Sequence, residues 1–530
     1  MQIEQNLQAK ATRRYLFLTV FVSGMSTLAI EFTASRMLQT VYGTSNLVWA
    51  NVIGLVLFFL TMGYFLGGRL ADKYPQPRVF YLLVSLAGFS SVFFLLLTSV
   101  LLRTAASALA AINVGALVSS LIAVIIALAV PITLLGCISP FAIRLAVTDV
   151  AEAGRISGRV YAISTWGSLL GTYLPVLLVI PLAGSRLTAV LFGSLLLVIG
   201  LLGYWRAGDS NRFLAFLLPL ILLPAVFFWT QGGIKAYDGQ IFETESPYNY
   251  VQVVRNEDCN YLLLNEGQGI HSFYCDDGRV PRISVWSIML AAPYFNALDG
   301  KAAPVQSMGV IGLAAGTIPK QYIQVYGDIA VDGIELDPAV VEAGRDYFDL
   351  TEPNINVIVG DGRYELNQLD TRYDVITIDA YKVPYIPWHL TTREFFGEVK
   401  AHLTDSGVVA MNVGRAPDDR TLVDAIPATL LEVYPTVHAI DVPGSLNTIL
   451  VATVQPTTAV NLQNNLAQLG EGTHPLLRVA VETAVNNLVP IEPADVIFTD
   501  ERAPVETIID TLVIRYLIQE GASGLPGLGS

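Results

Sequence analysis

Two patterns of apolar and polar positions divide the chain. Up to about residue 230, long apolar runs alternate with short polar breaks. Each run is near the roughly 20 residues that cross bilayer hydrocarbon as a helix. They predict seven spans, at about 15–35, 47–67, 79–101, 114–140, 160–182, 187–204 and 213–230. Small residues recur inside them (Gly54, Gly63, Gly67, Gly68, Gly167, Gly171) and predict close helix packing. Pro131 and Pro140 predict a kink in the fourth span. Beyond residue 230 the period changes. Residues 248–275 alternate apolar and polar positions in YNYVQVVRN, CNYLLLN and GIHSFYC, which predicts a small β-meander. From 305, strand-length apolar runs at 308–313, 329–335, 355–360, 373–379, 407–413, 436–442 and 447–454 alternate with helical segments. That alternation predicts a mostly parallel sheet with helices on both faces. The expected organisation is a transmembrane helical domain at 1–230, a β-meander and linker at 231–300, an α/β domain at 301–520, and a disordered Gly/Pro/Ser-rich tail at 521–530.

Charge follows the same boundary. Residues 1–230 hold 14 Lys and Arg against 6 Asp and Glu; the remainder holds 17 against 39. The acidic half supplies no basic face for nucleic acid. Three cysteines and five histidines form no metal-binding spacing, so no metal site is expected. Within the first half, the N-terminal tail, 68–78, 141–159 and 205–212 together hold 11 Lys and Arg, whereas the other loops hold Arg36, Arg103 and Arg186. The excess of basic residues in cytoplasmic loops places the N-terminus inside. Seven spans then place the acidic half outside. Glu31, near the end of the first span, is either a substrate or transport site or a structural partner of Arg36 or Arg69.

Candidate chemistry sits where the predicted strands end. VIGLAAGTIP puts Gly312 and Gly316 at a strand-to-helix turn, where missing side chains let a ligand approach the backbone. GIELDP puts Glu335 19 residues beyond Gly316, where an acid takes ribose hydroxyls in nucleotide-binding α/β folds. VGDGR and VITIDAY put Asp361 and Asp379 at the same carboxyl edge, outside which ligands bind in open α/β sheets. A polar strand end that merely caps a helix is the alternative for each acid taken alone. Cys259 and Cys275 are equidistant from Gly267. In a symmetric hairpin they face each other within disulfide reach; otherwise they are two isolated small residues.

These segments resemble the spermidine synthase (polyamine aminopropyltransferase) family, specifically its multi-pass membrane branch. The likeness rests on SPYNYVQV, YLLLNEG, GVIGLAAGT, GIELDPAVV, VGDGR, DVITIDAY, IPWHLTTREFF and LTDSGVVAMNV in the second half. In the first half it rests on YGTSNLVWANVIGLVLFFLTMGYFLGGRLADK and GRVYAISTWGSLLGTYLPVLLVIPLAGSR. It implies an α-helical transmembrane domain, a β-meander and an α/β Rossmann-like domain of the class I methyltransferase type. It also implies transfer of an aminopropyl group from decarboxylated S-adenosylmethionine, a co-substrate rather than a tightly bound cofactor, to an amine. Glu335 would take the ribose, Asp361 with Gly362 the adenine, and Gly312 and Gly316 would underlie the nucleoside. Asn249 stands where soluble members carry Gln and would join that cofactor-binding set. Asp379 matches the general base. His271, Tyr381 and Lys382 would border the acceptor.

The chain departs from soluble members at three places. Ala315 stands where they carry Asp in the glycine turn; Val285, Trp286 and Ser287 replace Tyr-His-Glu; Lys382 replaces a second acid after the catalytic one. Reversing one charge about 4 Å from a cation turns roughly 4 kcal/mol of attraction into repulsion at an effective dielectric near 20. Dicationic putrescine is therefore a poor fit. Two readings follow, both anchored in a lipid bilayer. One is a transferase that takes a small-molecule nucleoside and an amine other than putrescine. The other is a non-catalytic extracytoplasmic domain that binds a ligand, a membrane-complex partner or a second copy of itself.

Overall fold

The computed structural model describes residues 2–42, 46–112, 116–207, 224, 238–265, 269–298, 303–381, 386–415, 419–509 and 511. The seventh expected span, the tail at 521–530, Gly267 and Lys382 lie outside these residues. The chain divides into two compact units, Met1–Tyr237 with Glu245–Pro247, and Asp238–Thr244 with Tyr248–Ser530.

The first unit is helical: α1 (Gln2–Tyr42), α2 (Asn46–Lys73), α3 (Pro77–Ile112), α4 (Ala116–Ala146), α5 (Ala153–Leu174) and α6 (Ile180–Arg206). Five stretches are long and apolar enough to cross a membrane. The fifth, Val150–Arg206, has 57 residues. As one rod it would extend about 85 Å, far beyond the roughly 30 Å of bilayer hydrocarbon. It is not one rod, because a π-helical turn at Pro175–Val179 and non-helical Gly184 (φ 74°, ψ 167°) interrupt it. Pro175, which lacks an N–H, opens the π turn. α4 meanwhile continues through Pro131 and Pro140.

Glycines set the helix pairs. A Cβ on Gly167 or Gly171 would meet α1 backbone oxygens at 2.0 Å, and one on Gly63 would meet the Thr133 carbonyl at 2.3 Å. Gly67 touches Cys137, whereas Gly54 and Gly68 face open space. Large apolar side chains point outward, among them Leu57, Phe58, Phe65, Trp166, Leu177 and Leu182. Such an exterior suits hydrocarbon rather than water. The basic loops meet one another. Arg78 donates to the Ala207 carbonyl (2.9 Å), Arg144 pairs with Asp72 (3.3 Å), and the Arg159 guanidinium lies 4.7 Å from the Phe17 ring on α1. Arg36, about 28 Å beyond Phe17 along α1 at 1.5 Å per residue, donates to the Pro247 carbonyl (2.8 Å).

The second unit opens with a four-stranded meander: β1 (Gln240–Glu245), β2 (Tyr250–Asn256), β3 (Cys259–Leu264) and β4 (Ile270–Cys275). Cys259 lies opposite Cys275 in the β3–β4 register, and the two form a disulfide with Cα atoms 4.0 Å apart. The register slips between Leu262 and Leu263, which leaves His271 as a bulge residue on β4.

An eight-stranded sheet follows. Its strands are β5 (Ser307–Ile311), β6 (Ala330–Glu335), β7 (Ile355–Val359), β8 (Tyr373–Ile378), β9 (Leu403–Gly414), β10 (Thr436–Asp441), β11 (Asn447–Thr453) and β12 (Leu488–Val489). The helices of this unit include α7 (Val285–Met289), α8 (Thr317–Tyr326), α9 (Pro338–Tyr347), α10 (Gly362–Leu366), α11 (Arg393–Ala401), α12 (Thr421–Leu431), α13 (Ala459–Ala467) and α14 (Pro475–Asn486). The strand order is β12-β10-β11-β9-β8-β5-β6-β7. β5 to β9 run parallel to one another, and the β9–β11, β11–β10 and β10–β12 pairs are antiparallel. One apolar core, with Trp286, Tyr322 and Ala480, covers one sheet face; another, with Phe395, Phe396 and Ile426, covers the other. Strand order reverses between β5 and β8, and open α/β sheets bind ligands outside the carboxyl edge at such a reversal.

Candidate active site

Register brings the site together. Ile311 pairs with Ile334 on one side and Ile378 on the other, and Ile378 pairs with Met411. One residue further along each strand gives a level row at the carboxyl edge: Glu335, Gly312, Asp379 and Asn412. Asp361 follows just beyond, since Glu335 pairs with Val359.

One half, the donor half in the reading proposed below, centres on the glycine turn. Gly312 (φ 88°) and Gly316 (φ 90°) occupy left-handed backbone that favours glycine. Both make room for protein first. A Cβ on Gly312 would meet the Asp379 carbonyl at 2.5 Å, and one on Gly316 would meet Leu350 at 2.6 Å. Gly362 likewise sits over Ile311. The turn presents Ala314 N–H to Glu335 Oε2 (2.8 Å), while Glu335 Oε1 accepts the Asp337 N–H (3.1 Å). The Glu335 side chain keeps some surface, but burial of its carboxyl pushes the pKa up to about 7, against these N–H bonds and with help from the Asp337 charge. Asp337 caps α9 through Ala339 N–H (3.0 Å) and accepts from Asn249 Nδ2 (2.9 Å). Asn249 Oδ1 in turn accepts from Asn265 (2.8 Å). The meander packs its apolar face, with Val251 and Leu262, on Ala315 and α9. Asp361 Oδ1 caps α10 through the N–H groups of Arg363 (3.1 Å) and Tyr364 (3.0 Å). Its Oδ2 meets His389 Nε2 at 3.0 Å. Arg363 steadies that corner by bonding Glu398 and Asp500.

The Asp379 half, which would face the acceptor in that reading, is built differently. Asp379 Oδ1 accepts from Asn412 Nδ2 (2.9 Å), and the Trp286 indole also donates to the carboxylate. Asn412 Oδ1 accepts from Asn447 Nδ2 (2.8 Å), and Asn447 Oδ1 accepts from Ser445 (3.0 Å). The Tyr381 hydroxyl donates to the Asn412 carbonyl (3.0 Å), and burial holds its pKa well above 10. Burial raises the Asp379 pKa, opposed by Asn412 and Trp286. A carboxylate has about four lone-pair positions, so these two donors leave room for a ligand proton.

His271 lies beside the glycine turn. The next residue, Ser272, accepts the Ala315 N–H of the glycine turn (2.9 Å). Its neighbours Ile270 and Phe273 pack against the cluster that contains Trp286. His271 Nε2 is buried with no hydrogen-bond partner among the described residues, and burial lowers the imidazole pKa to about 4. An unmet buried polar atom costs about 1–3 kcal/mol.

The description "Spermine/spermidine synthase domain" matches residues 326–464. A probable polyamine aminopropyl transferase of Bifidobacterium longum (strain NCC 2705) is 31% identical over 312 residues, covering 54% of this chain and 68% of that protein. The chain belongs to the polyamine aminopropyltransferase family. A second member, the polyamine aminopropyltransferase of Vibrio vulnificus (strain CMCP6), is 30% identical over 180 residues, 32% of this chain and 58% of that one. A crystal structure of a probable spermidine synthase from Corynebacterium glutamicum ATCC 13032 aligns with 48% of this chain and 96% of its own, at 20% identity and a TM-score of 0.37. Within this member of the family, sequence reading passed over Asn412, Asn447, His389 and Asp337. Asn412 carried one signal, as a polar residue inside the apolar run VVAMNV. Trp286 was visible only as a replacement.

Proposed function

We propose that the protein is a membrane-anchored transferase that passes an aminopropyl group from decarboxylated S-adenosylmethionine to an amine other than putrescine. The observation that carries this reading is the row of Glu335, Gly312 and Asp379 at the strand-order reversal, with Asp361 just beyond. Glu335 would accept ribose hydroxyls and Asp361 would face adenine. Asp379 would hold the acceptor amine at the boundary between the halves. An alkyl ammonium titrates near about 10, and only its neutral form is a nucleophile. As the amine nitrogen forms its bond to the alkyl carbon, the carbon–sulfonium bond breaks and the thioether nucleoside leaves. Asp379 takes the amine proton, and its raised pKa makes it a stronger base than an exposed aspartate. Isothermal titration with decarboxylated S-adenosylmethionine, S-adenosylmethionine and methylthioadenosine tests the nucleoside site; silence with all of them would sink the reading.

The anchor would comprise the apolar stretches of the first unit. Contacts among Arg78, Ala207, Arg144 and Asp72 support gathering the basic loops on the cytoplasmic side. With seven spans, the acidic unit would lie outside the cell. The Cys259–Cys275 disulfide supports that side, since disulfides persist mainly outside the cytosol. It also favours a second reading, an extracytoplasmic ligand- or partner-binding domain without catalysis, because S-adenosyl nucleotides are cytosolic. Labelling of intact cells with a membrane-impermeant thiol reagent, with and without prior reduction, tests the side. Labelling of Cys259 and Cys275 only after external reduction places the unit outside; free, shielded thiols place it in the cytoplasm.

A further inference from the structure

We infer that the acceptor is an amine with a single positive charge and a neutral hydrogen-bonding group, the latter read by His271. The inference rests on the transferase reading above and concerns its unassigned substrate. Every side chain described as bonded to Asp379 is neutral: the Asn412 amide and the Trp286 indole. The chain of bonds continues through Asn447 and Ser445, again without a charge. Tyr381 turns its hydroxyl to a backbone carbonyl. Asp379 therefore balances one cation, and no second carboxylate joins it along this network. A diamine would bring a second ammonium for which this network holds no carboxylate, and a charge taken out of water without a partner is strongly disfavoured.

His271 supplies the other half of the argument through two independent features. It is the bulge residue of β4, and bulges re-aim a side chain beside functional sites. Its Nε2 is a buried polar atom with no hydrogen-bond partner among the described residues. It sits between Ile270, which packs against the core that contains Trp286, and Ser272, which accepts the Ala315 N–H of the glycine turn, so it lies beside that turn. Burial keeps the ring uncharged at neutral pH, so it suits a hydroxyl or amide and neither repels nor pairs with a charge.

The test uses the full-length protein in detergent, saturated with methylthioadenosine and titrated with 4-amino-1-butanol, butylamine and 1,4-diaminobutane. These probes share one amine and differ at the other end. We expect the amino alcohol to bind at least tenfold more tightly than the diamine and several-fold more tightly than butylamine. His271→Ala should erase the advantage of the amino alcohol over butylamine, while His271→Gln, which keeps a hydrogen-bonding group, should retain most of it. Equal or tighter binding of the diamine would overturn the inference, as would an unchanged amino alcohol to butylamine ratio in His271→Ala. Failure to bind any amine with methylthioadenosine in place would overturn it too. Failure to bind methylthioadenosine would instead remove the transferase reading and this inference with it.

Discussion

The two halves of the carboxyl edge hold their acids by different means. On the donor side, Glu335 and Asp361 are fixed mainly by backbone N–H groups of turns and helix starts. On the acceptor side, Asp379 is fixed by side chains from distant elements, Asn412 on β9 and Trp286 on α7. Backbone anchoring depends on local conformation and tolerates changes in the surrounding side chains. Side-chain anchoring depends on residue identity, so it is the part that substitution can retune. Nucleoside recognition and acceptor choice should therefore separate under mutation.

Asp379→Asn should give the largest effect. Removing the base should lower amine transfer by about 10²–10⁴-fold, with methylthioadenosine affinity within about twofold of wild type by titration calorimetry. A parallel loss of nucleoside binding would dissolve the distinction between the halves. Asn412→Ala should come next, lowering turnover by about tenfold and stranding Asn447, at a cost of about 1–3 kcal/mol in denaturant unfolding. Its nucleoside affinity should again hold.

Glu335 sharpens the donor side through pH. Its folded pKa of about 7 lies above the ordinary 4.5. Between those values the folded protein retains a proton that the unfolded chain has released, so this group's contribution makes stability fall as pH rises through that window. Nucleoside binding should move the opposite way, because in the proposed reading the ionised carboxylate would accept both ribose hydroxyls. Affinity for methylthioadenosine should rise up to about tenfold per pH unit below 7 and level off above about 8. Glu335→Gln should flatten both profiles, read by calorimetry and by thermal melting across pH. The smallest effect belongs to His389→Ala. Freeing one oxygen of a partly exposed Asp361 should change nucleoside affinity by about two- to fivefold.

Much of the donor half was legible in sequence because its anchoring is local. Glycines at 312 and 316, an acid ending GIE and an acid before a helix start each announce themselves within a few residues. The strands from β5 to β11 were legible for the same reason, since apolar runs bounded by turns fix them locally. The acceptor half was not. Asn412 reaches Asp379 only because β9 lies beside β8 in the register Ile378 to Met411, and Trp286 reaches it across more than ninety residues of chain. The glycines also had a second reason that composition hides. The backbone of Asp379 and the side chain of Leu350 fill the space above them, so packing demands glycine even before any ligand does. In the first unit, Gly63 and Gly167 lie at helix contacts as expected, whereas a Cβ on Gly54 or Gly68 would meet open space. Helix rotation, which decides this, depends on partners far along the chain.

The most direct test of the central claim is calorimetric titration of the full-length protein with decarboxylated S-adenosylmethionine, set beside Glu335→Ala and Asp379→Asn. The account predicts one-to-one binding in the wild type, a loss of at least tenfold in Glu335→Ala, and near-unchanged affinity in Asp379→Asn. No binding in the wild type, or equal loss in both variants, would contradict it.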